Sequence, residues 1–246
     1  MHDIRYDEMH DEFYVTNPFA QAIMIFAGNV DGNAPPKRII QGPKTQLSGS
    51  DRLEVDPVHN EIIVPTGDSI MVFPRDADGD VAPLRVIKGS NTQLRQATSV
   101  AVDPVNNVLI VGLNSGESSA GSPEAPNGAL LIFNRTDDGN VAPRAVIKGP
   151  KSGITRINQL ALYPPRKLIV AAQPGPIEQM EPQGAFVGIW SIDDNGDVPP
   201  RWKINAGAKS EMKKPRGVVL DPKHKELIIA DMRLNAVLTY YFPEIF

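Results

Sequence analysis

The chain has 246 residues, no cysteine and a formal net charge of -4, with lysine and arginine scattered through its whole length. No disulfide framework and no thiolate chemistry are available to it, and unclustered basic residues argue against a nucleic-acid groove. Gly 20 and Pro 23, together with the lack of apolar residues at helical spacing, point to many short strands joined by turns.

Met1 is followed by HDIRYDEMHDEF, which has neither a basic n-region nor an apolar h-region, and no apolar run reaches membrane-spanning length. The expectation is a soluble chain with no membrane span and no export signal within it. A leader on a longer parent would lie outside this sequence.

Taken in order, the chain repeats two phrases. An apolar-Asp-Pro step followed by an apolar run reads VDPVHNEIIV at 55–64, VDPVNNVLIV at 102–111 and LDPKHKELII at 220–229. Looser copies are YDEMHDEFYV at 6–15 and LYPPRKLIV at 162–170. Asp7, Asp56, Asp103, Tyr163 and Asp221 are thereby equivalent, with spacings of 49, 47, 60 and 58 residues, the length of a propeller blade.

The second phrase is IMVFPRDADGDVAPLRVIKG at 70–89, with copies at 23–42, 130–149 and, more worn, 187–205. Two apolar runs flank a turn whose Gly32, Gly79, Gly139 or Gly196 is expected to take positive φ. In the second unit the four apolar runs are 52–55, 61–64, 69–73 and 84–87, which reads as one four-stranded blade.

The whole is therefore expected to be all-β, a single propeller domain of about five blades at 3–48, 49–96, 97–155, 156–213 and 214–246. The first unit begins at its innermost strand and the last ends after its third. Two readings follow: a section of a larger propeller, or five blades closing with a three-stranded last blade. Bare strand edges at such a seam would invite missing blades or self-association.

These phrases resemble the NHL, YVTN and lactonase-like propellers, and most closely bacterial propeller proteins with a GNVAPLRVIKGP blade phrase, here GNVAPRAVIKGP at 139–150. The resemblance covers residues 4 to 242. Relatives of this kind tend to be longer and exported, which implies a secreted or periplasmic parent. Lactonase-like members hold a divalent cation at the channel mouth with one Glu, two Asn and one Asp. Here the inner strands offer Asp3, Arg5, Arg52, Glu54, Ser99 and Gln159, and Asn17, Asn114 and Asn158 lie near the mouth without forming a matching pair.

Insertions lengthen the loops between second and third strands at 112–128 and 172–184, on adjacent blades. They carry Glu117, Glu124, Glu178 and Glu181, which with Asn17 and Asn114 form the expected binding rim, suited to a cation or a cationic group. Calcium is the one cofactor these residues suggest. The acidic turns 76–80 and 193–197 resemble the start of an EF-hand loop, but their glycine comes two positions early and no glutamate closes the loop. They read as turns in which Asp or Asn accepts local backbone hydrogen bonds.

His10, His59 and His224 each follow an anchor aspartate by three residues, and a group repeated in every blade reads as a corner element rather than a catalyst. The expected function is a non-catalytic scaffold or binding module, taking a protein or small ligand at its loop face or through open edges. The alternative is a divalent-metal-dependent, gluconolactonase-like hydrolase.

Overall fold

The computed structural model describes residues 3–114, 128–175 and 184–246. Among them, 19 strands form five antiparallel sheets that follow the chain in order as the blades of an all-β propeller. The first blade comprises β1 (Ile4–Asp7), β2 (Glu12–Asn17), β3 (Ala22–Ala27) and β4 (Arg38–Gln41). The second comprises β5 (Glu54–Asp56), β6 (Glu61–Pro65), β7 (Ser69–Pro74) and β8 (Arg85–Lys88). In the third are β9 (Ala97–Asp103), β10 (Val108–Leu113), β11 (Ala129–Asn134) and β12 (Ala145–Ile147). The fourth holds β13 (Gln159–Tyr163), β14 (Leu168–Gln173), β15 (Phe186–Ser191) and β16 (Trp202–Asn205). Only β17 (Pro215–Asp221), β18 (Glu226–Asp231) and β19 (Ala236–Tyr241) make up the fifth.

Strand alternation places apolar residues on both faces of each inner blade, because each blade packs against two neighbours. Four apolar clusters fill the gaps between successive blades. None of these clusters joins the fifth blade to the first. The outward face of the fifth blade leaves Val219, Val237 and Tyr241 exposed, and the first blade leaves Ile4 and Tyr6 exposed.

The anchor aspartates act as blade corners. Asp56 is fully buried; its Oδ1 accepts the backbone N–H groups of Val58 and His59 at 3.0 Å, and its Oδ2 accepts His59 Nδ1 at 2.8 Å. The pairs Asp7–His10 and Asp221–His224 repeat this geometry at 2.7 Å, and Asn106 substitutes for histidine on Asp103.

The Asp-Gly turns differ from the sequence expectation in their partners. Gly32, Gly79, Gly139 and Gly196 have φ of 58°, 74°, 69° and 82°, as expected. The polar side chains, however, accept distant N–H groups from the preceding blade. Asp78 takes Ile39 N at 3.0 Å and Asp80 takes Lys44 N at 2.7 Å. Asp138 and Asn140 bind Val86 and Asn91 likewise, and Asn195 and Asp197 bind Val146 and Lys151. Gly79, Gly139 and Gly196 also bridge to the outer strand of the blade before, Gly79 N donating to Ile39 O at 2.8 Å. One oxygen of each of these side chains is thereby committed to an N–H donor of the preceding blade, which gives the turns a structural role.

This clasp requires a glycine at the end of each receiving strand. A Cβ on Gly42, Gly89 or Gly149 would lie 2.5 Å from Asp80, Asn140 or Asp197, and their φ values are 132°, 129° and 124°. The final glycine of IIQG and VIKG is thereby explained.

A second inter-blade device is an ion-pair latch. Glu61, 6% exposed, accepts both Arg85 Nη1 (2.8 Å) and Nη2 (3.0 Å) within its blade and Arg135 Nη1 (2.8 Å) from the next. Glu12 does the same with Arg38 in its own blade and Arg75 in the next, and adds Lys37. At the matching register of later blades the three positions become apolar together. Val108, Ala145 and Ile192 meet in one cluster, and Leu168, Trp202 and Phe242 in another. In the fifth blade Glu226 returns at this position on the uncovered face.

Gly89→Ala meets both the Asn140 contact and an unfavourable φ, and should cost roughly 2–4 kcal/mol by urea denaturation. Gly49→Ala, with φ 65° and nothing within 4 Å, should cost only about 1 kcal/mol. Burial alone would raise the Glu61 carboxyl, but Arg85 and Arg135 hold it below its ordinary 4.5. Its folded pKa is thus depressed, so its stabilisation is complete above about pH 4.5 and is lost as pH falls further. Glu61→Gln should cost roughly 3–5 kcal/mol at pH 7 and flatten the acid limb of the urea midpoint. The triple replacement Glu61→Val, Arg85→Ala, Arg135→Ile should flatten that limb while keeping the fold, since the third blade already uses those residues.

Candidate functional site at the channel mouth

The ends of the inner strands and the loops between second and third strands meet at one face around a cavity of about 560 Å³. The second blade brings Arg52, Pro65 and Thr66; the third brings Thr98 and Asn114; Arg156 and Asn158 come from the fourth and Arg216 from the fifth. The loop 48–51 between the first two blades completes the wall.

Each arginine is placed by a local irregularity. Arg52 precedes β5, where the chain has left the ladder; the expected strand 52–55 begins two residues later, at Glu54. Arg52 Nη2 donates to Asn158 Oδ1 across the mouth at 3.1 Å, and Nη1 lies 3.6 Å from Asp3. Arg216 sits in a β-bulge, between the pairs Pro215↔Asp231 and Gly217↔Ala230. Such a bulge re-aims a side chain.

Arg156 stands on the loop entering β13, braced by the buried Gln173. Gln173 Oε1 accepts Thr155 N at 2.8 Å, while its Nε2 donates to Gly153 O and Gly184 O at 2.8 and 3.0 Å. Gln173 thereby fixes the backbone immediately before Arg156.

The electrostatics are those of crowded like charges. Burial first, then Arg216 and Arg52, lower the Arg156 pKa; burial and then Arg52 lower that of Arg216. Lys214, 1% exposed, is lowered by burial and then by Arg216 and Arg156. Arg156 Nε and Nη1, Arg216 Nε and Ser50 Oγ are buried without a hydrogen-bond partner. Buried polar groups are ordinarily paired.

The carboxylates near the channel are already engaged. Asp3 accepts Arg5 Nη1 at 3.0 Å and Leu53 N at 3.2 Å, and Arg5 Nε lies 3.5 Å from Glu54. Burial pushes the Glu54 carboxyl up, with Arg5 opposing. Asp51 is the one carboxylate among the described lining residues, beside three guanidinium groups, and that set does not suit a divalent cation, so calcium does not fit the described mouth. Asp221, His224 and Glu226 could approach one ion, but this is the corner pair repeated in other blades with a neighbouring glutamate, not part of the mouth.

Of the expected rim, Asn114 lines the cavity, accepting Thr98 Oγ1 at 3.3 Å. Asn17 does not; it caps the β2–β3 turn by accepting Ala20 N at 3.2 Å. Glu117, Glu124, Glu178 and Glu181 lie outside the described residues. Arg156 and Arg216 were missed by sequence reasoning. Arg52, Arg156 and Arg216 stand four, seven and five residues before their anchor positions, so no fixed offset marks them.

No protein-family model matches the sequence, and a search of curated proteins finds no match. Solved structures do match in fold. A chain of Kuenenia stuttgartiensis hydrazine synthase aligns with TM-score 0.64 at 12% identity, over 92% of this chain and 54% of that one. A chain of the mitotic checkpoint complex aligns with TM-score 0.61 at 13% identity, over 93% and 58%. The chain thus spans just over half the length of these structures, and the likeness is one of fold.

Arg156→Met is expected to raise stability in urea at pH 7 and low salt, by roughly 1 kcal/mol, because it removes a half-buried charge that stands beside two like charges. A fall in stability would show that the guanidinium is satisfied in the free protein.

Proposed function

We propose that the chain is a non-catalytic β-propeller binding module that receives its ligand at the loop face. One observation carries this reading: Arg52, Arg156 and Arg216, from three blades, converge on the wall of a channel-mouth cavity, and among the described residues Arg156 and Arg216 reach no carboxylate. Cationic groups gathered without a counter-ion around a cavity of ligand size are expected where a ligand supplies it. Sitting astride four blades, the cavity would also report its occupancy to the interfaces between them.

The lactonase-like reading, which rests on the repeated blade phrases, finds less support. Such an enzyme polarises its substrate with a metal held by carboxylate and amide oxygens, whereas Asp3 and Asn158 here accept hydrogen bonds from Arg5 and Arg52. Contacts with a further blade or a second copy are supported by exposed Val219, Val237 and Tyr241 on the fifth blade. A solution mass above that of one chain would be their sign.

The test combines occlusion with metal titration. Ser48 is exposed on the cavity wall, and Ser48→Trp should abolish saturable binding of a probe without changing the urea midpoint. Calcium, zinc and manganese should neither shift the melt nor support lactone hydrolysis. A metal that stabilises the fold by about 2.7 kcal/mol at a hundredfold excess over its Kd, with lactone turnover, would replace this reading with the hydrolase.

A further inference from the structure

We infer that the channel mouth binds a small hydroxylated oxyanion, a carboxylate or phosphate, through Arg156 and Arg216. This inference rests on the reading of the cavity as a binding site and names the chemistry of its ligand.

Charge is the first ground. Arg52, Arg156 and Arg216 all line the cavity, and the Nε and Nη1 of Arg156 and the Nε of Arg216 have no partner. A guanidinium edge offers two parallel N–H donors that match the two oxygens of a carboxylate or phosphate. Arg156 keeps one donor of each of its two edges, Nε and Nη1, without a partner. Three guanidinium groups gathered around one cavity repel one another in the free protein, and an anion among them relieves that repulsion.

The geometry is the second ground. Arg216 is thrown toward the mouth by a β-bulge, and Arg156 by a loop that three hydrogen bonds from Gln173 hold in place. An arginine serving only the fold would be expected to find a carboxylate, as Arg38, Arg75, Arg85 and Arg135 do. Arg38 and Arg85 also leave Nε without a partner, but each reaches a buried glutamate through both Nη groups, whereas Arg156 and Arg216 reach no carboxylate among the described residues.

The rest of the lining sets the class of molecule. Ser50 Oγ has no partner, Thr66, Thr98 and Asn114 add hydroxyl and amide groups, and Asp51 adds one carboxylate against the three arginines, while among the described lining residues apolar side chains are limited to Pro65 and Ala97. Such walls suit a ligand whose body carries hydroxyl groups rather than rings or alkyl chains. A volume of about 560 Å³ is in the range of small-molecule sites.

Isothermal titration of the whole chain tests this with citrate, gluconate, glucose 6-phosphate, inorganic phosphate and, as a neutral control, glucose. At least one anion should bind at one site per chain, more weakly as salt rises, with glucose silent. Gluconate and citrate against the two phosphates separate the carboxylate from the phosphate source.

Arg156→Met and Arg216→Met should each weaken binding about tenfold or more. Arg156→Lys, which keeps the charge but not the paired donors, should fall between. Arg201→Met, which removes an exposed arginine paired with Asp194 away from the cavity, should leave binding unchanged. If either methionine variant unfolds, protection of the wild-type arginines from phenylglyoxal by the bound anion gives the same answer.

Anion binding that is equal in wild type and both methionine variants overturns the inference, as does the absence of binding by any anion. If glucose or a cationic probe such as spermidine binds instead and Ser48→Trp abolishes it, the binding-module reading stands and the anion falls. If no probe of any charge binds with sensitivity to Ser48→Trp, both fall.

Discussion

The architecture depends on one close approach, that of the Asp-Gly or Asn-Gly turn of the second, third and fourth blades to the outer strand of the blade before it. The turn's first acidic or amide oxygen takes a strand N–H and its second takes the N–H of the following 3-10 turn, over a glycine with no room for a Cβ. Hydrogen bonds of this kind do what a covalent tether cannot. They fix the rotation of one blade against the next, and so fix where the inner strands point. Between the first and second, second and third, and third and fourth blades the same contact is made with Asp or Asn interchangeably, because only the acceptor oxygen matters.

The apolar cores and the glutamate latches then fill an interface whose geometry the clasp has set. It matters that the latch has two solutions in one chain. A glutamate between two arginines and a trio of apolar side chains occupy the same register, and each is complete. A mixture of the two would leave a buried charge without its partner, which is costly. The positions therefore change as a set from one blade to another. Glu226, on the uncovered face of the fifth blade, is the one latch glutamate of the described residues not flanked by such arginines.

Against this regular background the channel mouth stands out because its arginines do not obey the repeat. The arginines of the latches are neutralised within the fold, while Arg156 and Arg216 are crowded by like charge and keep unused donors. A stabilising Arg156→Met would be the ordinary signature of a site in which stability has been given up for binding. The sheets supply a rigid frame, and the bulge at Arg216 and the braced loop at Arg156 are its local departures.

The repeat was legible in the sequence because strand alternation, anchor aspartates and turn glycines are local signals, and they recur at blade-length spacing. From those alone came the all-β propeller, its five units, the positive φ of the turn glycines and the corner role of the anchor aspartates. The partners of the acidic turns were not legible, since an Asx turn and an inter-blade clasp use the same residues and differ only in which N–H comes near. Nor were Arg156 and Arg216, whose offsets from the anchor are shifted by a loop and a bulge that sequence spacing cannot register. What the tertiary structure alone decided was convergence: residues from four blades, up to 168 positions apart from Ser48 to Arg216, meet at one cavity only once the blades are set side by side.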